Sequence, residues 1–251
     1  MVKRARSDIT SAEIVRPATP NDPLGDVRVS NSPYPGHKSV SVDILRVMTE
    51  DHRRHAPATA RNREAILAVL QRHLPPKGNV LEIASGPGEH ILYFAQESSP
   101  DLVFQPTDPD AAARASIDAW VASCGVSNVH RAIELDATGE VWPVTSADAA
   151  LCINMVHIAP WAATDGLARG AARILPTGGM LYLYGPYRFG GRHRASSNEA
   201  FDADLRRQNP EWGIRDIEAV VALATAHGFQ SPMIEQMPAN NVSLVFRRLP
   251  R

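Results

Sequence analysis

The sequence predicts an α/β fold with a mostly parallel sheet and helices on both faces. Strand-like apolar runs alternate with helical patterns from Asn79 to Tyr184, and the strands are almost continuously apolar, as strands covered on both faces must be. The chain then ends differently. Ser231 to Met237 and Val242 to Arg248 flank Pro238-Ala239-Asn240-Asn241, a compact turn whose residues tolerate positive φ, so the last strand runs antiparallel to its neighbour.

In order, residues 1–54 are expected to form an arm or lid, and residues 55–251 a single domain, since 251 residues leave little room for a second. The arm carries Pro17, Pro20, Pro23, Pro33 and Pro35 without sustained periodicity. A short helical pattern over Val42, Ile44, Leu45 and Met48 precedes the basic patch Arg53-Arg54-His55. Thr59 to Leu74 reads as a helix with Ile66, Leu67, Val69 and Leu70 on one side and Thr59 or Asn62 as its cap, stopped by Pro75-Pro76-Lys77-Gly78. Strands follow at Asn79 to Ala84, Leu102 to Thr107, Val129 to Leu135, Ala147 to Asn154 and Met180 to Tyr184. The helices between them span Gly88 to Gln96, Asp110 to Ser123 and Ala162 to Leu175, and another runs from Ile214 to His227 before the hairpin.

The bulk properties exclude several classes. A hydrophobic fraction of 44% and a charged fraction of 21% are those of an ordinary globular protein, and a net charge of −1 gives no global attraction to nucleic acid or an anionic membrane. The two cysteines, Cys124 and Cys152, form neither a disulfide framework nor a metal-ligand spacing and read as reduced core thiols. The basic start Met1-Val2-Lys3-Arg4-Ala5-Arg6 lacks a following apolar stretch, and no run of about 18 apolar residues occurs. The expectation is a cytoplasmic monomer or homodimer with no metal, membrane or nucleic-acid partner.

The most informative stretch is Val80-Leu81-Glu82-Ile83-Ala84-Ser85-Gly86-Pro87-Gly88-Glu89-His90, an apolar run that ends in an acidic, glycine-containing turn and opens into a helix. Gly86 and Gly88 let the main chain approach a ligand, and the N–H groups of the helix start point to the same place. Ligands of open α/β sheets sit at the carboxyl ends of the strands. Glu82 lies at the end of the first strand, and Asp108, Asp136 and Asn154 end the second, third and fourth. Asp108 suits a ribose diol and Asp136 an adenine amino group, although each could instead cap the next helix, with Asp110 competing for that role beside Asp108.

A nicotinamide dinucleotide would call for a third glycine where Ile91 stands, and the terminal hairpin is unlike that fold. S-adenosylmethionine needs no pyrophosphate site and suits the acidic set, so it is the expected cofactor. The candidate contacts are Arg61, for its carboxylate, with Glu82, Ala84, Ser85, Gly86, Gly88, Asp108, Pro109, Asp136, Ala137, Asn154 and Met155.

Five stretches carry a resemblance: Glu82 to His90; Cys152-Ile153-Asn154-Met155-Val156-His157-Ile158-Ala159-Pro160-Trp161; Gly185-Pro186-Tyr187; Asn209-Pro210-Glu211-Trp212-Gly213-Ile214-Arg215-Asp216; and Met237-Pro238-Ala239-Asn240-Asn241. Together they resemble the DUF938 group of class I S-adenosylmethionine-dependent methyltransferases, which includes the methyltransferase-like 26 proteins. The similarity runs from about His55 to Arg248. It implies a Rossmann-like class I methyltransferase sheet of seven strands with the cofactor over the first of them. Ala84 stands where class I enzymes commonly have glycine, a change small enough that cofactor binding is expected to persist.

Methyl transfer from a sulfonium is a direct displacement, so the protein aligns the reactants and, where needed, removes a proton. His157, just past the fourth strand, is the candidate base, with bracing of a loop as the alternative. Tyr187 follows the fifth strand and either orients a substrate oxygen or packs its ring. The loop Arg188-Phe189-Gly190-Gly191-Arg192-His193-Arg194 and the residues Arg53, Arg54, Arg61 and Arg63 are either a solvated basic surface or two groups that converge over the crevice to bind an anion. Substrate candidates are Arg53, Tyr187, Arg188, Arg192, Asn198 and Trp212. Phe201, Asp202 and Asn209 either line the pocket or fix this insertion, and Trp212 itself suits an anchor. The expected reaction is methyl transfer to a small anionic molecule, on oxygen. RNA or protein methylation and a non-catalytic cofactor-binding module are the alternatives.

Overall fold

The computed structural model describes residues 51–251; the expected arm up to residue 50, with its pattern from Val42 to Met48, lies outside the described residues. Helix α1 is Pro57–His73, and its first position holds a proline whose missing N–H has no partner to lose there. Thr59 and Asn62 do not cap it. They lie inside the helix on the buried stripe with Ile66, Leu67, Val69 and Leu70, and Ala56 takes the cap position without a side-chain bond.

The chain continues through β1 (Gly78–Ile83), α2 (Glu89–Gln96), β2 (Leu102–Thr107), α3 (Ala111–Cys124), β3 (Ala149–Ile153) and a 3₁₀ turn at Met155–His157. Helix α4 (Trp161–Ile174), β4 (Met180–Pro186), α5 (Ser196–Gln208), α6 (Ile217–Ala226), β5 (Met233–Gln236) and β6 (Asn241–Arg247) complete it. Asp110 caps α3 by accepting the Ala112 N–H at 3.0 Å. Helix α5 has no apolar periodicity to announce it, because its buried face is Asn198, Asp202 and Leu205.

The strands form one sheet in the order β2-β1-β3-β4-β6-β5, with the first four parallel and β6 antiparallel to both β4 and β5. Alternation along the strands divides the core in two. Val80, Leu151 and Tyr182 pack against α1 and α2, while Leu81, Cys152, Leu181 and Leu183 pack against α4 and α6. The expected third strand and the count of seven are corrected: Val129 to Leu135 pairs with β2 through isolated bridges at Val129 and Ile133 and not as a strand, which leaves six strands among the described residues.

The cause is Pro106. Phe104 donates its N–H to Asn128 and accepts from His130 across this edge, but two residues later Pro106 has no N–H to continue the ladder. The pairing slips by one residue, so that Ile133 donates to the Pro106 carbonyl at 3.3 Å. Side chains then take up the loose backbone: Gln105 donates to the Arg131 carbonyl at 2.9 Å, and the Ala132 N–H donates to Asp118 at 2.8 Å. Of the two cysteines only Cys152 is a core thiol; Cys124 is exposed.

Candidate functional site

The turn between β1 and α2 is held in an unusual backbone conformation, with φ of 57° at Ala84, 57° at Gly86 and 95° at Gly88. At Ala84 the left-handed conformation costs about 1 kcal/mol, which the surrounding ties must offset. The Ser85 N–H donates to the Thr107 carbonyl at 2.8 Å, its hydroxyl donates to the Glu82 carbonyl at 3.3 Å, and that hydroxyl accepts the Thr107 N–H at 3.2 Å. A Cβ on Gly88 would fall 2.8 Å from Ile117 Cγ1 and 3.0 Å from Ile117 Cα, so α3 packs directly on the turn. On Gly86 a Cβ would meet nothing within 4 Å.

Glu82, two residues after Val80, is buried on the same face, and its Oε2 has no hydrogen-bond partner among the described residues. Burial pushes its carboxyl up to about 8, with Ser85 opposing the shift and the Asp108 charge adding to it. Asp108 is also buried; its Oδ2 accepts the Gly86 N–H at 2.9 Å and its Oδ1 the Asp110 N–H at 2.9 Å. Burial raises its pKa, and these two backbone donors pull it back. Because Asp110 caps α3, Asp108 keeps one lone pair on each oxygen beside the turn. Asp136 is exposed, and its Oδ1 accepts both the N–H and the hydroxyl of Thr138 at 2.8 Å. Ala137 and Met155 are buried, Pro109 is exposed, and Asn154 sits at φ 65° with its N–H on the Tyr184 carbonyl at 2.8 Å.

His157 and Tyr187 meet edge-on, with ring centroids 4.8 Å apart, and both are fully buried. The Arg215 N–H donates to His157 Nδ1 at 3.5 Å, and the His157 carbonyl accepts the Gly213 N–H at 2.9 Å. Burial drives the imidazole down to about 3, helped by the Arg215 charge, so the ring is neutral. Its Nε2 lies 2.4 Å from where a Cβ on Gly185 would stand, which places the ring behind β4. Burial also raises the Tyr187 phenol, whose hydroxyl has no partner among the described residues. Neither side chain lines a cavity among those found at the carboxyl ends of the strands.

The two arginine groups do not converge: among the described residues Arg53, Arg54, Arg63, Arg188 and Arg194 are each held by a nearby side chain, while Arg61 and Arg192 are not. Arg53 pairs with Asp51 at 2.8 Å and lies over Trp120, Arg54 reaches Asp110 at 3.4 Å, and Arg63 lies over Tyr93. Arg188 pairs with Asp216 at 2.9 Å, and Arg194 lies over Phe189 and bonds Gln236. Arg192 closes its loop through backbone bonds with Phe189, and its side chain is exposed. Asp202 accepts the Ile214 N–H at 2.6 Å and Asn209 accepts the Glu211 N–H at 2.9 Å, so both fix the insertion. Trp212 is half-buried and lines neither cavity.

Two cavities open on either side of the α1 N-terminus. One of about 280 Å³ lies beside the glycine turn between Arg54, His55, Ala56, Gly86, Pro87 and Asp110. The other, of about 450 Å³, lies at the carboxyl ends of β3 and β4 and is lined by Arg61, Asn62, Asn154, Tyr184, Asn198 and Asn241, with Phe201, Pro186 and Pro238. A larger space of about 540 Å³ is at the opposite ends of β1 and β3, around Asn79, Asp148 and Arg173, away from the turn. Of the expected substrate residues only Asn198 reaches the second cavity. Asn62, Tyr184 and Asn241 were not among the expected site residues. Asn62 carries a signal, a carboxamide on a mostly apolar inward stripe; it is held by His90 Nε2 at 2.8 Å.

A family model described as Protein of unknown function (DUF938) matches residues 53–248. Among solved structures, the mitomycin 7-O-methyltransferase MmcR superposes with a TM-score of 0.65 at 14% identity, over 76% of this chain and 54% of its own. An O-methyltransferase family protein from Burkholderia thailandensis gives 0.66 at 14%, over 76% and 57%. Human N-acetylserotonin methyltransferase, in complex with SAM, gives 0.63 at 14%, over 77% and 53%. The chain thus spans about half the length of these structures. The likeness establishes a Rossmann-like α/β methyltransferase fold.

Proposed function

The chain belongs to the DUF938 family, and we propose that it transfers a methyl group from S-adenosylmethionine to a small anionic molecule, on oxygen. The observation that carries this reading is the buried Glu82 carboxyl, unpartnered at Oε2 at the end of β1 and next to a turn shaped for close main-chain approach. A buried acid without a partner is costly unless a donor or a cation meets it. The ammonium of the cofactor's amino-acid end is such a partner, so the residues present fit the group.

Asp108 has a free lone pair on each oxygen for the ribose, Gly86 leaves the main chain open while Gly88 lets α3 pack against the turn, and Asp136 and Ala137 are assigned to the adenine end. Asn154 and Met155 close the far side. When bound, the cofactor supplies an electrophilic methyl group on a sulfonium. Two of the superposed structures are an O-methyltransferase and an O-methyltransferase family protein, which favours oxygen as the acceptor atom. The kinship to methyltransferase-like 26 proteins rests on the sequence motifs.

His157 is assigned here to bracing the segment 213–215, through its carbonyl and Nδ1, and not to proton removal. The proposed setting is the cytoplasm; no helix among the described residues is long and apolar enough to cross a membrane.

The purified full chain, given methyl-labelled S-adenosylmethionine together with deproteinised small molecules, RNA and protein from one lysate, is expected to place label in the small-molecule fraction. Label entering RNA or protein instead would overturn the choice of acceptor, which the net charge of −1 also favours.

A further inference from the structure

We propose that the 450 Å³ cavity between α1, the carboxyl ends of β3 and β4, α5 and the hairpin turn holds the acceptor, a small monocarboxylic acid carrying its own N–H or O–H donor, methylated on the carboxylate oxygen. This deepens, and rests on, the methyl-transfer reading above. Its volume is that of a small-molecule site.

The charge of the lining comes first. Among the described residues Arg61 is the one lining side chain with a permanent charge, and no Asp or Glu lines the cavity. Arg61 makes no ion pair among the described residues, unlike Arg53, Arg54 and Arg188, and it lines this cavity and not the one beside the glycine turn, so it is assigned here to the acceptor in place of the cofactor carboxylate expected from the sequence. One unpaired cation with no anion beside it favours a ligand with a single negative charge, and a guanidinium matches a carboxylate in shape.

The far side has the opposite polarity. The Asn198 amide donates its N–H to the Asn240 carbonyl at 3.4 Å, and the Asn241 amide donates to the carbonyls of Pro238 at 3.1 Å and Ala239 at 3.4 Å. Asn241 thus has both amide N–H groups engaged and Asn198 one of its two, which leaves the two amide oxygens as acceptors. A ligand that satisfies both ends has a carboxylate toward Arg61 and a donor toward the hairpin turn. Phe201, half-exposed at 43%, offers an apolar wall between them.

The chemistry follows from what the lining lacks. None of its side chains is a base near neutral pH: burial raises the Tyr184 phenol, and His157 lies behind Gly185. The nucleophile therefore has to arrive already ionised, which a carboxylate does and an alcohol or phenol does not. A lone pair on the carboxylate oxygen forms the O–CH₃ bond as the S–CH₃ bond breaks, and that bonding pair stays on sulfur. The sulfonium becomes a neutral thioether, the carboxylate becomes a neutral ester, and no proton moves.

The test uses the full chain, methyl-labelled S-adenosylmethionine and a deproteinised small-molecule extract, with the product treated with alkali. Alkali hydrolyses a methyl ester to labelled methanol but leaves N-methyl and ether products intact, so volatile label is the expected result. Arg61→Gln is expected to slow transfer about tenfold at limiting extract, a deficit that excess extract restores, while cofactor affinity stays within about twofold. Alkali-stable label, no transfer despite cofactor binding, or a loss of cofactor affinity in Arg61→Gln would each overturn the proposal. Failure of the wild type to bind the cofactor removes the methyl-transfer reading itself, and is seen separately by calorimetry.

Discussion

Gly88→Val is expected to destabilise the protein by about 3 kcal/mol or more, a large share of the 5–15 kcal/mol typical of a folded domain. Two costs add. The backbone stands at φ 95°, where a β-branched residue is strained, and the new Cβ would overlap Ile117, whose Cα belongs to α3 and cannot rotate away. Gly86→Ala is the control: φ is 57° but the space is open, so only the strain of about 1–2 kcal/mol applies. Denaturant unfolding of the three proteins checks this. Equal midpoints for Gly88→Val and the wild type would mean that α3 does not press on the turn.

Glu82→Gln is expected to remove a pH dependence worth several kcal/mol. The carboxyl titrates near 8 in the folded protein against an ordinary value of 4.5, so between those values the folded chain holds a proton that the unfolded chain has lost. Stability attributable to this residue therefore falls as pH rises from about 4.5 to about 8, and levels off above. Glutamine carries no such proton, so the slope should vanish and the variant should be the more stable protein at alkaline pH. Unfolding midpoints followed across that range decide it, and an unchanged slope in the variant would place the buried proton elsewhere. A cation brought to Glu82 must lower its pKa, so cofactor binding at pH 7 should also release a proton, read by calorimetry in two buffers of different ionisation enthalpy.

The parts of the molecule legible in the sequence are those settled by neighbours in the chain. The glycine turn, the strands that flank it and the closing hairpin depend on local backbone demands and on alternation, both written in a few residues. Asp108 and Asp110 lie so close together that only one can cap α3, and the structure gives that task to Asp110. At the edge beside β2 the apolar content of Val129 to Leu135 suggests a strand, but one residue, Pro106, breaks the ladder because it has no N–H.

The site was harder, since its partners come from distant segments. Long arginines that look convergent in the sequence are claimed by the first carboxylate or ring in reach, as Arg188 is by Asp216. Burial of His157 depends on Gly185 and on the segment 213–215, neither of which its own surroundings announce. The acceptor cavity assembles asparagines from α1, the end of β3, α5 and the final hairpin. On α5 two of the three inward residues, Asn198 and Asp202, are polar because they serve that cavity and its supports, which leaves the helix without an apolar stripe.

Calorimetric titration of S-adenosylmethionine into the wild type and into Asp108→Ala tests the central claim most directly. Asp108 is the acid with lone pairs to spare beside a turn that it also holds through the Gly86 N–H. The expected result is saturable binding in roughly the micromolar range for the wild type, weakened about 100-fold by the substitution, as loss of hydrogen bonds to a charged group requires. No binding to the folded wild type, or the same affinity in both proteins, would contradict it.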